Sequence, residues 1–173
     1  MLTPAAGNAL PFDGSLCQTG KNFANTIWTA YRLVEGWEVN PTREIPAVNK
    51  AAIHWYKNLF QQTLSLIDDH YSKYRISDAL MSLYKLIWDD YCSWFLEMVK
   101  PSYGDPIDSG TLEEVKTLFE DNLRLLHPFM PFITEELWEN LGYKEKPLIL
   151  SEWDLNLPEK DDVKLGMARD RIK

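Results

Sequence analysis

The sequence has little cysteine, no long hydrophobic run and no secretion signal, and each lack excludes a class of protein. Cys17 and Cys92 are the two cysteines in 173 residues. They lie far apart and do not suggest a disulfide framework, so we expect buried or half-buried thiols in a reducing compartment. No run of about 18 apolar residues is present that could cross a membrane. The start MLTPAAGNALPFDG lacks the basic segment and apolar stretch of a secretory signal, so we expect a cytoplasmic protein.

Familiar catalytic motifs are also missing. The chain contains no G-x-G-x-x-G, no G-x-x-x-x-G-K-[ST] and no G-x-S-x-G. Two carboxylate-rich stretches, Asp68-Asp69-His70 and Asp89-Asp90, lack the E-x-x-H or H-x-x-x-H spacing that a metal site in a helical bundle needs. We interpret both stretches as solvated helix faces. The sequence therefore predicts no catalytic residue, no metal and no cofactor in this chain.

Apolar side chains at helical spacing dominate what is present. Hydrophobic residues make up 45% of the chain and aromatic residues 13%, which is enough to build the core of one domain. Apolar residues recur every three or four positions from Ser15 to Gly36, after Pro46, from Leu80 to Met98, and after a Thr111-x-x-Glu114 capping box. A short fifth helix is expected after Pro131. This pattern predicts an all-α fold, a helical bundle of four long helices plus a short one.

The flanks of the bundle are less regular, and we expect three parts in the chain. Residues 1–14 are broken by proline and glycine and are predicted to be an irregular connector. Residues 15–142 form the predicted bundle. Residues 143–173 are predicted to begin with a short extended segment and to end with the start of a further helical region, cut short by the end of the chain.

The stretch LHPFMPFITEELW, residues 126–138 and called the proline corner below, invites a search for catalysis. His127 ends the fourth predicted helix, Pro128 cannot continue it easily, and Pro131 suits the first turn of the next helix. The large aromatic side chains would then plug the corner between two packed helices; they are Phe129, Phe132 and Trp138. A catalytic role for His127 would need a nucleophile or a second acid, and none stands at a recognisable spacing. We therefore interpret this stretch as architecture.

One face of the first predicted helix carries the residue types that bind RNA. Lys21, Asn25, Trp28 and Arg32 stand at i, i+4, i+7 and i+11, away from the apolar stripe of the same helix. Single-stranded RNA is bound by stacking its bases on aromatic rings, while lysine and arginine hold its phosphates. A tryptophan in such a position is more often part of the core, and the polar residues near Trp28 are also compatible with an ordinary solvent-exposed helix face. Trp37, just beyond the helix, is the other candidate for stacking.

Charge is distributed unevenly along the chain, whose net charge is −8. Up to Arg75 there are seven lysines and arginines against six acids, and after it eleven against twenty. Because lysine and arginine drive phosphate binding, an RNA-facing surface belongs to the first part. The overall acidity predicts weak binding of RNA by the chain alone, and sub-micromolar affinity in a gel shift at low salt would contradict this.

Three segments together resemble a known family. They are GKNFANTIWTAYRLVEGW (residues 20–37), IWDDYCSWFLEMVKP (residues 87–101) and LRLLHPFMPFITEELW (residues 123–138). In this order and spacing they are similar to the anticodon-binding helical domain of class I aminoacyl-tRNA synthetases, most closely the valine-specific members. The resemblance covers about Thr3 to Trp153. The preference for valine over isoleucine or leucine depends mainly on NFANTIW…YR and DYCSWFLE…KP.

The resemblance implies a fragment of a larger enzyme. The HIGH-like and KMSKS-like signatures of the catalytic domain are absent, so residues 1–14 would connect from an upstream catalytic domain. The fragment, expected to be a monomer, would hold the anticodon stem-loop of valine tRNA and help to select it. Valylation with ATP and Mg²⁺, and editing, would occur in other domains of the same polypeptide.

The resemblance also implies where the RNA would lie. The anticodon bases would be splayed out against the first helix and its exit, where cations contact phosphate or base, asparagines form hydrogen bonds and a tryptophan stacks. The candidate RNA-binding residues are Lys21, Asn22, Asn25, Trp28, Arg32 and Trp37. For Asn22 and Asn25 a structural role, tying the helix to its neighbours, stays open.

Other function classes also stay open. A helical protein-interaction or scaffold domain would show an exposed apolar patch, whereas RNA binding requires Lys21, Asn25 and Arg32 to be exposed together. The equivalent domain of an isoleucyl- or leucyl-tRNA synthetase is a third possibility. An independent enzyme would need a deep pocket with convergent polar groups.

Overall fold

The computed structural model describes residues 14–151, which form a helical bundle. Its helices are α1 (Gly14–Glu35), α2 (Ala47–Ser72), α3 (Ile76–Lys85), a π-helical segment (Leu86–Phe95), α4 (Leu96–Val99), α5 (Ser109–Leu126) and α6 (Pro131–Asn140). The segments α3, π and α4 run on without interruption as one long helix. The prediction of an all-α bundle, four long helices plus a short one, is thus confirmed for this part of the chain. The connector predicted before residue 14 and the helical region predicted near the end lie outside the described residues.

Aromatic side chains fill the centre of the bundle. Tyr56 of α2 is fully buried, stacks on Phe95 with ring centroids 4.9 Å apart, and meets Tyr91 edge-on at 5.3 Å. Each buried hydroxyl has a partner across the core: Tyr56 Oη donates to Asn122 Oδ1 (2.9 Å), and Tyr91 Oη donates to the Val115 carbonyl (2.9 Å). Burial raises the pKa of both tyrosines well above the usual value. These bonds fix α2 and the π segment against α5, because a buried hydroxyl without a partner would cost about 1–3 kcal/mol.

Two loops at one end of the bundle are joined by a short parallel bridge. Strand β1 (Val39–Asn40) follows α1, and strand β2 (Ile107–Asp108) precedes α5. Val39 pairs with Ile107 and Asn40 with Asp108, and the Ile107 amide donates to the Glu38 carbonyl (2.8 Å). This bridge holds the exit of α1 beside the loop that follows α4.

The third long helix differs from the prediction. An unbroken α-helical pattern was expected from Leu80 to Met98, but ten residues in its middle are π-helical. Buried positions there recur every four to five residues, as the wider turn requires: Leu86, Ile87, Asp90, Tyr91, Phe95 and Leu96. Trp88 and Trp94 are therefore only half-buried, and Asp90 is turned into the core.

Two expectations about polar residues need correction. Asp68 and Asp69 are exposed as predicted, but His70 beside them is half-buried, and Asp90 is only 3% exposed, because the π segment rotates it inward. The Thr111-x-x-Glu114 capping box is also wrong. Asp108 caps α5 by accepting a hydrogen bond from the Thr111 amide (2.7 Å). Thr111 is fully buried three residues further on, and Glu114 pairs with Lys57 of α2 (2.6 Å).

The proline corner is architectural, as predicted, with one exception. Pro131 is the first residue of α6, and His127 Nδ1 lies 2.8 Å from Thr134 Oγ1, which itself donates to the Met130 carbonyl (2.9 Å). Trp138 is 2% exposed and Phe129 is half-buried against the core. Phe132 was expected to plug the corner, but it is 91% exposed, because the first turn of α6 directs it away from α5.

The chain after α6 returns to that helix. Where an extended piece was expected, Leu148–Leu150 form one 3₁₀ turn. Two hydrogen bonds hold it: the Leu148 amide donates to Glu135 Oε1 (2.9 Å), and Trp138 Nε1 donates to the Lys146 carbonyl (2.8 Å). Leu148 is buried beside α6 as a result.

The two cysteines differ in their exposure. Both cysteines are free; Cys92 is half-buried as expected, but Cys17 is exposed, which the sequence did not predict. Burial raises the pKa of the Cys92 thiol to about 12, so it stays protonated at neutral pH. Among the helices of residues 14–151, none combines the length and the apolar character that a membrane crossing needs.

Candidate nucleic-acid interface

The outward side of α1 presents its polar residues together. Lys21, Asn25 and Arg32, called the outer face of α1 below, are all exposed. Their spacing of four and seven residues places them within a narrow arc of the helix. The apolar stripe lies on the opposite side and is buried: Phe23, Ile27, Ala30 and Val34 are each no more than 6% exposed. The stripe fixes the rotation of α1, and that rotation directs the outer face to solvent.

The two cations of the outer face form no ion pair with another described residue. Within residues 14–151, neither Lys21 nor Arg32 has an acidic side chain within ion-pairing distance. The nearby acid Glu35 is instead paired with Lys116 of α5 (2.6 Å). Both cations are therefore free to meet a phosphate without first breaking an ion pair in this part of the chain.

The two asparagines of α1 differ. Asn22 Oδ1 accepts a hydrogen bond from Gln18 Nε2 (2.8 Å), one turn earlier in the same helix. The side-chain amide of Asn25 has no hydrogen-bond partner among the described residues, although its backbone carbonyl accepts from Thr29 Oγ1 (2.8 Å). Neither side chain ties α1 to a neighbouring helix there, so Asn25 in particular presents both a donor and an acceptor to solvent.

Trp28 belongs mainly to the packing of the bundle. It is half-buried against the core, and its ring lies 6.0 Å from that of Tyr31. Tyr31 in turn stacks on Phe119 of α5 and donates a hydrogen bond to the Asn140 carbonyl (3.2 Å). Burial, and then Glu35, raise the pKa of Tyr31, so the hydroxyl remains a donor at neutral pH. Trp28 therefore borders the outer face of α1 with part of its ring open.

Trp37 lines a recess at the exit of α1. Gly36 ends the helix, its amide donating to the Arg32 carbonyl (3.2 Å), and Trp37 follows half-buried. Across from it lies the loop after α4, and together they enclose about 570 Å³. The residues of this exit recess are Leu33, Gly36, Trp37, Glu38, Lys100, Pro101, Ser102, Tyr103, Gly104 and Asp105. The β1–β2 bridge holds its two sides together.

A shallow groove leads from the outer face of α1 to the exit recess. It lies between α1 and the third long helix and contains about 260 Å³. Asn25, Thr29 and Leu33 form one wall, Cys92 and Leu96 the other, and Leu33 is shared with the exit recess. The outer face, the groove and the recess thus form one continuous surface along α1.

Two residues of this surface were missed in the sequence. Tyr103 is fully exposed in the exit recess, next to Gly104, whose φ of +83° suits glycine. Lys100 is also there, its ammonium group 2.9 Å from Glu97. The signal in the sequence is an aromatic residue inside the turn-rich stretch SYGD, residues 102–105. The contact between this loop and Trp37 depends on the β1–β2 bridge, which no local pattern predicts.

Among residues 14–151, no group of three or more His, Cys, Asp or Glu side chains could hold a metal ion. His127 is engaged by Thr134, and the Cys92 thiol in the groove is protonated at neutral pH. The surface combines two cations that have no ion pair among the described residues, the unpaired side-chain amide of Asn25, and the partly exposed rings of Trp28 and Trp37.

Comparison with known proteins gives a consistent result. A family model described as the anticodon-binding domain of tRNA ligase matches residues 54–172. The valine–tRNA ligase of Christiangramia forsetii is 56% identical over 155 residues, which are 88% of this chain and 18% of that protein. The valine–tRNA ligase of Parabacteroides distasonis is 53% identical over 141 residues, which are 82% of this chain and 16% of that protein. The valine–tRNA ligase of Pseudothermotoga lettingae is 32% identical over 161 residues, which are 91% of this chain and 18% of that protein.

The chain therefore spans less than a fifth of the length of these curated relatives. The family match begins within α2, after the outer face of α1 and Trp37. From there it runs through α3, the π segment, α4, the loop of Tyr103, α5, the proline corner, α6 and the 3₁₀ turn, which with the matched part of α2 form most of the bundle. The chain belongs to the family of anticodon-binding domains of tRNA ligases.

Proposed function

We propose that this chain binds the anticodon stem-loop of valine tRNA and helps a longer valine–tRNA ligase to select it. The observation that carries the proposal is the joint exposure of Lys21, Asn25 and Arg32 on a face that continues into the exit recess. RNA binding needs these three exposed together, and all three side chains are polar or charged.

Each part of the surface has a role in this proposal. Lys21 and Arg32 hold phosphates of the loop, and the free amide of Asn25 forms hydrogen bonds with a base edge. Asn22, already bonded to Gln18, is the weaker of the two asparagines. Unpaired bases lie along the groove, and one enters the exit recess, where Trp37 stacks on it. Trp28 contributes the edge of its ring.

Valine as the amino acid is proposed from the relatives, which are valine–tRNA ligases, and from the three sequence segments that resemble that branch. In a longer enzyme of this kind, ATP and Mg²⁺ act in another domain, and this chain contributes recognition of the tRNA. We also propose a cytoplasmic location and a monomeric bundle that contacts the catalytic part of its own polypeptide.

The test is a fluorescence or NMR titration of the chain at low salt with two RNA hairpins, the anticodon stem-loops of valine tRNA and isoleucine tRNA. We expect the valine hairpin to bind more tightly, with a dissociation constant above the micromolar range because the chain is acidic. Trp37→Ala should weaken binding about 5- to 150-fold, the equivalent of about 1–3 kcal/mol for one stacked base. Arg32→Ala should weaken it as well.

The chain offers matched controls for both substitutions. Tyr74 and Arg75 lie in the turn between α2 and α3, away from the candidate surface, and both are exposed. Tyr74→Ala and Arg75→Ala should change the affinity less than twofold. Equal weakening by Arg75→Ala and Arg32→Ala would show non-specific attraction only. Binding of neither hairpin would contradict the proposal for the chain alone, and tighter binding of the isoleucine hairpin would contradict the choice of valine.

A further inference from the structure

The exit recess is lined by acids as well as by aromatic rings. Glu38 follows Trp37 at the exit of α1, and Asp105 lies in the loop after α4, so the two carboxylates belong to the two sides of the recess. Both acids are exposed, and neither forms an ion pair among residues 14–151. The two sides stay together because the Ile107 amide donates a hydrogen bond to the Glu38 carbonyl (2.8 Å).

The charges of the recess do not favour a phosphate. Lys100 is the cation among its described lining residues, and the ammonium group of this lysine is already 2.9 Å from Glu97 Oε2. Two carboxylates therefore remain without a cation partner, and their negative potential opposes the entry of another anion. A phosphate is better accommodated by Lys21 and Arg32 on the outer face of α1. The recess suits a part of the RNA that carries no negative charge.

The size and the aromatic rings of the recess fit a base. Its volume of about 570 Å³ is that of a small-molecule site, and both Trp37 and Tyr103 line it. Stacking on these rings does not distinguish one base from another, because every base has a π-face. Discrimination has to come from polar groups at the edge of the base. An ionised carboxylate accepts hydrogen bonds and cannot donate them, so Glu38 and Asp105 favour a base edge that donates.

We propose that the exit recess selects a base with an exocyclic amino group and rejects uracil, and that Glu38 and Asp105 determine this specificity. The inference rests on the proposed function, in which one unpaired base of the RNA enters the recess. An amino group has two N–H donors for the two carboxylates, and acidic side chains accept hydrogen bonds from the amino group of cytosine. Uracil has a carbonyl oxygen at the same ring position. That oxygen cannot donate to a carboxylate and is repelled by it.

The direct test uses nucleosides, which have no phosphate and so do not depend on the cations of α1. Each nucleoside is titrated into the full chain, and the NMR signal of the Trp37 indole N–H, assigned with Trp37→Phe, is followed. Cytidine should bind at least about fivefold more tightly than uridine. Adenosine should likewise bind more tightly than purine riboside, which lacks only the amino group. Equal affinities within both pairs, or no shift of the signal with any of the four nucleosides, would overturn the proposal.

Two substitutions of similar shape test the carboxylates themselves. Glu38→Gln with Asp105→Asn replaces each carboxylate by an amide that can also donate, so uridine should gain affinity and the preference for cytidine should fall below about twofold. Asp68→Asn with Glu145→Gln removes the same charge at exposed positions outside the recess and should keep the full preference. An unchanged preference in the recess variant, or an equal loss in the control variant, would overturn the proposal.

The nucleoside titration and the hairpin titration separate this inference from the proposed function. If the valine hairpin binds and cytidine binds no better than uridine, the proposed function stands and the specificity of the recess is refuted. If cytidine is preferred and neither hairpin binds, the specificity of the recess stands and the proposed function of the chain alone is refuted.

Discussion

The proline corner and the exit recess are both rich in aromatic residues but use them in opposite ways. In the corner, Trp138 is buried, its indole N–H donates to the Lys146 carbonyl, Tyr143 stacks on one face at 4.3 Å, and the Arg124 guanidinium lies 4.9 Å from the ring. In the recess, Tyr103 is fully exposed and Trp37 is half-buried and lines the cavity. The same residue types therefore serve folding in one place and remain available to a ligand in the other.

The two regions differ in how much of each aromatic ring and polar group is still free to contact a ligand. A ring with covered faces and a polar atom with a partner have little left to offer a ligand, so their substitution should affect stability. An open ring beside an unpaired amide or cation can still bind, so its substitution should affect recognition. The more conspicuous sequence motif is therefore the structural one.

The largest effect is expected in the corner. Trp138→Ala should lower the free energy of unfolding by about 3–5 kcal/mol, because it leaves a cavity and removes the hydrogen bond to the Lys146 carbonyl. Tyr103→Ala in the exit recess is the control and should change the free energy by no more than about 0.5 kcal/mol. Both are measured by urea denaturation of the full chain. A loss below about 1 kcal/mol for Trp138→Ala would mean that the corner is not the structural region.

The next effect concerns the polar centre of the corner. Thr134→Val removes the hydroxyl that contacts His127 Nδ1 and should lower the free energy of unfolding by about 0.5–1.5 kcal/mol, since the half-buried imidazole loses its hydrogen-bond partner. Thr134→Ser keeps the hydroxyl and should recover most of the loss. If valine and serine at this position were equally destabilising, the hydroxyl would not be what links α5 to α6.

Periodicity was sufficient to predict the bundle but not its details. The apolar stripes of α1 and α5 are buried as predicted, and Pro131 begins α6, because these depend on local geometry. The π segment was not predictable, since its wider turns depend on packing around Tyr56 and Tyr91 and not on a local rule. For the same reason Asp90 was wrongly placed at the surface. At α5, two good capping residues competed, and Asp108 is the one whose backbone lies before the helix.

The candidate surface was predicted in part. The outer face of α1 follows from spacing alone, because the buried stripe dictates what lies opposite. Trp37 was a candidate from its position after Gly36. Lys100 and Tyr103 were not, because they reach the recess through a loop held by the pairing of Val39 with Ile107, residues far apart in sequence. That the six candidate residues bind RNA stays a prediction.

A smaller effect is expected from the charges of the outer face of α1. Each lysine or arginine on a phosphate of single-stranded RNA contributes about 0.7 to the slope of log affinity against log salt. The double substitution Lys21→Ala with Arg32→Ala should therefore reduce that slope by about 1.4, measured with the valine hairpin. Lys50→Ala with Arg75→Ala removes two exposed cations elsewhere and is the matched control. An equal reduction by the control pair would mean that the RNA senses only total charge.

The smallest effect concerns Glu120, an acid of α5 that accepts a hydrogen bond from Tyr143 beside the proline corner. Burial raises the pKa of the Glu120 carboxyl, and this effect is larger than the opposing effects of the Tyr143 hydrogen bond and the Arg124 charge. A carboxyl whose pKa is higher in the folded chain than in the unfolded chain is protonated in both states at low pH, where its charge does not affect the free energy of unfolding. As pH rises through the folded pKa, the buried carboxyl ionises and the folded chain loses stability. Glu120→Gln should therefore raise the free energy of unfolding at pH 7 by less than about 1 kcal/mol, and the gain should vanish at pH 3.

The exposed Asp69 provides the opposite case. Its hydrogen bond from Lys73 lowers the pKa of the carboxyl, so the contribution to stability is present at neutral pH and is lost as pH falls through the folded pKa. Asp69→Asn should therefore slightly destabilise the chain at pH 7 and leave it unchanged at pH 2. If both substitutions shifted stability at pH 7 in the same direction, net charge would govern the response. Opposite signs of the two stability changes would show that burial makes the Glu120 carboxylate unfavourable, whereas the exposed Asp69 carboxylate is tolerated. Exposed charges on the outer face of α1 are tolerated in the same way.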